Sequence, residues 1–441
     1  MRPSRRGALL RLATVTAVSA LLALGVPATT AGGATGTGPG AAATTGGGAT
    51  TGGGATTGAA ATTGGGAGPE HGRPCVGTPT PTGGPALDVL EVAERAKAEL
   101  GLASVIVKVT ADGRELLTTA LGESMTGVPA RPDMHFRNGN IAISYLGTAL
   151  LRLVDEGVVG LDEPVARWLP DLPRGDRTTL RMLGASTSGL VDYVTTPGFG
   201  ETVYADPFRQ WTPEELVDIS TRQDPWYRPG ESWSYSHANF VLLGAALERI
   251  TGTRLDHLLQ QKVLGPLGLH GTANSFTPDI PTPVLHAFTS DRGRYEESTF
   301  WNPSWTTAPG AVQTTDICDL ARSAVGVGSG ELLSPAGYRE LLDPGTVGLG
   351  GAIGKCPDTV CIPQTEATHY GMGVLVLGDW ISQHPLFFGY SASQDYLPCE
   401  HLAIAVSTTD GPAAAGGHSA HTIARRIAAV LAPEHPIPDF G

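Results

Sequence analysis

Lysine is nearly missing from this sequence. Only Lys97, Lys108, Lys262 and Lys355 occur among the 29 basic residues. Positive charge is scarce overall, since 42 acidic residues leave a formal net charge of −13. Phosphate binding needs a basic face, so the charge argues against a nucleic-acid partner or an anionic-membrane binder. Beyond the N-terminus no stretch is long and apolar enough to span a bilayer, so no permanent membrane span is expected. Cys-x-x-Cys pairs, His-Glu-x-x-His, a Gly-Lys-Ser phosphate loop and a dinucleotide fingerprint are all missing. No metal and no other cofactor is therefore expected.

What is plentiful is glycine, with 60 residues, and proline, with 34. Their excess is concentrated near the start, where three segments follow one another. Residues 1–31 begin with Arg2, Arg5 and Arg6, continue with an apolar run from Ala8 to Val26, and close on small residues at Ala28 and Ala31. That is the layout of a secretory signal peptide, and Arg5-Arg6 leaves twin-arginine export open. Residues 32–74 are then expected to be a disordered linker. From Gly32 to Gly68 this tract holds only Gly, Ala, Thr and Pro39, and nothing in it can bury a core. Its threonines leave two readings open, a plain spacer or a glycosylated stalk. Ordinary composition begins at Cys75, so 75–441 is expected to be one large folded domain. The mature chain is expected to be secreted, extracellular or associated with the cell envelope.

In an exported chain, disulfides are the default for cysteine. Cys356 and Cys361 bracket a Pro-Asp-Thr-Val turn and are expected to pair. Cys75, Cys318 and Cys399 then leave one odd thiol, with the pairing undetermined. His418 and His421 stand three apart near a helix start and read as surface or capping residues rather than ligands.

Periodicity points to a mixed α+β fold. Leu87–Leu100 and His418–Leu431 have helical spacing, as do Ile143–Glu156 and Phe240–Thr251 between them. Ser104–Thr110 and Arg114–Gly122 flank Asp112-Gly113, a hairpin signal. Tyr370–Leu377, Leu386–Tyr396 and Leu402–Thr408 read as three further strands. Strands at both chain ends with helices between them imply one antiparallel sheet built from both ends, flanked by helices, with an inserted helical lobe.

Several ordered segments then carry a family resemblance. They are Phe136-Arg137-Asn138-Gly139-Asn140 with Leu150–Gly157, Leu161-Asp162-Glu163-Pro164-Val165, Thr187-Ser188-Gly189-Leu190, and Pro229-Gly230 followed by Tyr235-Ser236-His237-Ala238-Asn239-Phe240. Asn302–Trp305, Pro309-Gly310 and Thr314–Ala321 extend the series. Together they resemble the serine β-lactamase and D-alanyl-D-alanine carboxypeptidase superfamily across about Leu87–Leu431. The resemblance is nearest to class C β-lactamases and the peptidases related to them. It implies a β-lactamase/transpeptidase-like fold with the site between sheet and helical lobe.

The same resemblance implies a serine nucleophile at a helix start and a lysine base three residues on, one turn up the same face. The Phe136-Arg137 frame puts Asn140 at the nucleophile position and Ile143 at the base position. Asn140 has no hydroxyl to acylate, and Ile143 cannot carry a proton. No other frame helps, because the residues three before the lysines are Glu94, Val105, Leu259 and Ala352. In the family's second motif Tyr235 is retained and His237 replaces an asparagine. As a substrate-binding residue, His237 could still exchange a hydrogen bond. The third motif, which binds the substrate carboxylate, falls near Gln383-His384-Pro385-Leu386. There His384 is the candidate, Pro385 removes a backbone donor, and Leu386-Phe387-Phe388 add bulk.

The leading expectation is a secreted member of a serine hydrolase family that lacks covalent serine catalysis, with a residual cleft for a peptidoglycan peptide or an envelope protein. Trp233, Trp301 and Trp305 could wall such a cleft or belong to the core. A second reading is an active D,D-carboxypeptidase, β-lactamase or esterase with an unrecognised nucleophile such as Ser144. A third is a purely structural or interaction domain.

Overall fold

The computed structural model describes residues 75–438. The expected signal segment and the Gly/Ala/Thr tract lie outside the described residues.

The sheet draws strands from both ends of the described chain. From one edge it runs Val128–Pro129, Arg114–Met125, Leu102–Ala111, Leu402–Asp410, Tyr390–Leu397, Trp380–Gln383, Leu375–Leu377 and Thr368–Tyr370, with Leu386–Phe387 paired on Tyr390–Leu397. Every pairing is antiparallel. Leu102–Ala111 and Leu402–Asp410 meet in the centre, with Val107 opposite Val406. All of Leu402–Thr409 is buried. A strand buried on both faces reads as a continuous run rather than an alternation, which is why its extent was visible but its facing was not.

The Asp-Gly hairpin forms as expected, because Asp112 and Gly113 both take positive φ. Pro85–Glu99 and Ser419–Leu431 pack on each other and on the sheet, and Ile317–Gly328 packs on its central strands. The inserted lobe contains Ile141–Asp155, which is buried along almost its whole length. A helix that is apolar all round belongs in a core, and here it contacts His237–Thr251 and Pro335–Leu342. Gly147 permits part of this packing, since a Cβ there would stand 2.1 Å from the Met372 carbonyl oxygen.

Two sequence expectations need correction. Tyr370–Leu377 is not one strand but a hairpin of Thr368–Tyr370 and Leu375–Leu377. A Cβ on Gly371 would meet the Leu341 carbonyl oxygen at 2.2 Å, and Gly373 takes φ +77. The apolar run therefore folds over at its glycines. Leu386–Tyr396 likewise divides, at Phe388-Gly389, into Leu386–Phe387 and Tyr390–Leu397. Disulfides join Cys75 to Cys318 and Cys356 to Cys361, leaving Cys399 as the free, exposed thiol. No helix among the described residues is long and apolar enough to cross a membrane.

Candidate active-site cleft

The Ile141–Asp155 helix starts at the wall of a cleft of about 550 Å³ between sheet and helical lobe. Asn140 is its N-cap residue. Gly139 precedes it at φ +49, and a Cβ there would stand 2.7 Å from Pro385. This close approach sets the helix start against the Gln383–Leu386 segment, so two of the three motif regions meet. The third arrives on the His237–Thr251 helix. Asn140, Tyr235, His237 and His384 all line the cleft.

Asn140 Nδ2 donates to the Tyr235 hydroxyl at 2.9 Å. Burial, followed by the neighbouring Tyr370 and Asp192, holds the Tyr235 phenol well above the ordinary tyrosine range. It therefore stays neutral and keeps its own proton to donate. Ile143 does not face the cleft at all. It is fully buried among core side chains, and its carbonyl lies against Gly373. Ser144 is also fully buried and donates to the Ile141 carbonyl at 2.7 Å. That corrects its candidacy as a nucleophile, because it is spent on a helix carbonyl away from the cleft.

His237 Nδ1 donates to Asp192 at 3.0 Å from Oδ2 and 3.1 Å from Oδ1. Asp192 Oδ1 also accepts the backbone N–H groups of His237 and Val194, each at 3.2 Å. Asp192 therefore fixes the ring tautomer and leaves Nε2 as the free nitrogen. Sequence reasoning missed Asp192. It lies 45 residues before His237, with no motif linking the two positions.

His384 stands in the cleft wall but does not act as a cation. Its ring stacks on His421 at 4.0 Å and meets His418 edge-on at 5.0 Å. Burial and these two neighbours push the His384 imidazole well below the ordinary range. His421 is pushed down to about 3, chiefly by burial. The reading of His418 and His421 as surface or capping residues is thus overturned for His421, whereas His418 is half-buried at the N-cap position of the closing helix. His421 is buried within the helix, and the His418 ring makes no capping hydrogen bond. The helix carries them back onto the sheet, where His384 waits on a remote strand end.

Two carboxyl groups that sequence reasoning missed also line the cleft, Asp291 and Asp410. Burial raises both, and the charge of Asp291 helps lift Asp410 to about 7. Among the described lining residues there is no serine, lysine, arginine or cysteine. Trp233 and Trp305 belong to the wall, whereas Trp301 is core.

The beta-lactamase family profile matches residues 90–427. The chain belongs to the beta-lactamase family. More particularly, it is similar to penicillin-binding protein 4 of Amycolatopsis lactamdurans, with 27% identity over 63% of this chain and 71% of that protein. It is also similar to esterase EstB of Burkholderia gladioli, with 33% identity over 40% of this chain and 48% of that one, less than half of the esterase's length. Among solved structures, a D-stereospecific amidohydrolase from a Streptomyces species superposes with a TM-score of 0.65 at 22% identity, over 79% of this chain and 99% of that one. At that identity the likeness supports the shared fold alone.

Proposed function

We propose that this chain is a secreted beta-lactamase-family protein that has given up covalent serine catalysis and uses its cleft to bind a peptide. The observation that carries the reading is the Asn140–Tyr235 hydrogen bond at the helix start, with Ile143 sealed in the core one turn on. Acyl transfer needs an activated nucleophile, and an amide paired with a neutral phenol is not one. The disulfides are compatible with an oxidising compartment outside the cell.

The lining also favours one kind of ligand. Asp192, Asp291 and Asp410 make the lining acidic, with Asp291 and Asp410 less ionised than free carboxyl groups because of burial, and no lysine or arginine among the described lining residues balances them. A ligand presenting a free carboxylate would be repelled, whereas one presenting an amine would be attracted. The partner that fits is a peptidoglycan peptide or an envelope-protein segment with an amino group near apolar side chains. Thermal unfolding with and without amine-bearing peptides tests this, because a ligand of the folded state alone raises the melting temperature. No shift with any such peptide would remove the binding reading.

A second reading, an active hydrolase, is favoured by the His237–Asp192 pair. An imidazole held by a carboxylate can act as a general base on water. Asn140 and Tyr235 would then donate to the developing oxyanion, with no acyl-enzyme. Turnover that disappears in His237→Ala without any covalent adduct would favour this reading over the first.

A further inference from the structure

The free thiol lies far from the cleft, in a setting the family chemistry does not use. Cys399 occupies the short turn Pro398–Glu400 at the end of Tyr390–Leu397. The cleft lies at the other end of that strand, on the order of 25 Å away at the usual rise per residue. Across from the turn, the chain after the closing helix brings His435 to the thiol, with Cys399 Sγ and His435 Nε2 at 3.9 Å. Glu400 completes the group. One ligand atom from each of Cys399, Glu400 and His435 lies within 4.8 Å of the other two.

His435 is held in place. Its Nδ1 donates to Asp379 Oδ2 at 2.7 Å, and its carbonyl accepts from Trp380 Nε1 at 2.8 Å. Two residues on, the Ile437 carbonyl accepts from Arg425 Nε at 3.0 Å. A carboxylate on Nδ1 leaves Nε2 as a bare lone pair aimed at the sulfur. Metal-binding histidines are oriented in the same way, with the carboxylate also raising the basicity of the ligand nitrogen.

We propose that Cys399, His435 and Glu400 bind a zinc-class divalent cation, with Asp379 as the residue that positions His435. The distances suit such an ion. With zinc–sulfur at about 2.3 Å and zinc–nitrogen at about 2.1 Å, a shared tetrahedral ion sets sulfur and nitrogen about 3.6 Å apart. The 3.9 Å separation closes to that with a shift of a few tenths of an ångström, and it is long for a bond from a weak S–H donor. A thiolate and a carboxylate neutralise the two charges of the cation, and the imidazole adds a neutral ligand. Binding forms a metal–sulfur bond and releases the thiol proton to solvent. Three protein ligands leave a fourth position for water. Cys399 and His435 lie 36 residues apart, so no spacing rule could have exposed the pair.

The test uses the full chain in metal-free buffer, with cobalt(II) as the probe and zinc as the competitor. One cobalt per chain is expected, with a thiolate-to-cobalt charge-transfer band that zinc abolishes. Cys399→Ser and His435→Ala should lose the band. Asp379→Asn should weaken binding by about 10–100-fold while the band remains at saturation. In parallel, zinc should slow the reaction of the unmodified protein's free thiol with a disulfide reagent, a readout that needs no variant. A cobalt site that survives Cys399→Ser would overturn the proposal. So would a native thiol that reacts equally fast with and without zinc.

Discussion

The Asn140 side-chain amide donates to the Tyr235 hydroxyl at 2.9 Å, closing the start of the Ile141–Asp155 helix against the His237–Thr251 helix. The bond gives the Asn140 side chain a structural partner at the cleft wall. Tyr235→Phe removes the acceptor and should cost about 1 kcal/mol of stability, as for an ordinary hydrogen bond. Equilibrium denaturation of the variant checks this. A stability unchanged from the parent chain would mean the bond contributes nothing and that Asn140 is free for another task.

Ile143 should behave as a core residue. Its side chain is fully buried, so Ile143→Ala should cost about 2–5 kcal/mol in chemical denaturation. Ile143→Lys should be worse, because an unpaired ammonium would be placed where an apolar side chain now packs. If Ile143→Lys unfolds at the same denaturant concentration as the parent, the position opens to the cleft and the described packing is wrong.

The histidine cluster makes stability depend on pH with a definite sign. Burial pushes the folded His421 imidazole down to about 3, against an ordinary value of 6.5. Between those values the unfolded chain binds the extra proton, so stability contributed by the neutral ring is present above about 6.5 and is lost as pH falls toward 3. His384 and His418 are shifted in the same direction. Melting temperatures of the parent and of His421→Gln, followed across that window, should show a shallower acid slope in the variant. Equal slopes would mean that His421 does not titrate on unfolding.

Asp410 acts in the opposite sense. Burial and the charge of Asp291 push its folded carboxyl up to about 7, above the ordinary value of 3.8, so the stability it contributes is full below about 3.8 and is lost as pH rises through 7. Asp410→Asn should therefore gain on the parent chain as pH rises from 4 to 8. The same variant should weaken any amine-bearing ligand that raises the melting temperature, because one of the cleft's carboxyl groups is gone. A variant that binds such a ligand as tightly as the parent would place its amine elsewhere.

The Cys75–Cys318 bridge spans 243 residues of sequence and ties the first described residue to the Ile317–Gly328 helix. Cys75→Ser should lower stability by about 2–5 kcal/mol. Unchanged thermal unfolding under non-reducing conditions would show that the bridge adds no constraint to the chain.

Much of this arrangement was legible because local chemistry agreed with the global fold. Asp112-Gly113 marks its hairpin by backbone preference, and the Ile141–Asp155 helix announces its burial by being apolar on every face. Asn140 and Ile143 could be set against the resembled motif in one dimension, since both belong to a single helical turn. The partnerships could not. Asp192 meets His237 across 45 residues, and Asp291 meets Asp410 only when a loop folds beside the sheet's central strand. His421 looked like a surface residue because polar rings at a helix start usually are. Its burial depends on His384 arriving from another strand end.

The most direct test is the intact mass of the purified protein after incubation with a penicillin and, separately, with a fluorophosphonate. An Asn140→Ser variant, which restores a hydroxyl at the cleft wall without disturbing the core, serves for comparison. An unmodified mass is expected for the parent chain with both reagents, since no activated hydroxyl among the described residues faces the cleft. A stoichiometric adduct on the parent chain would contradict this, and the modified residue would then be its true nucleophile.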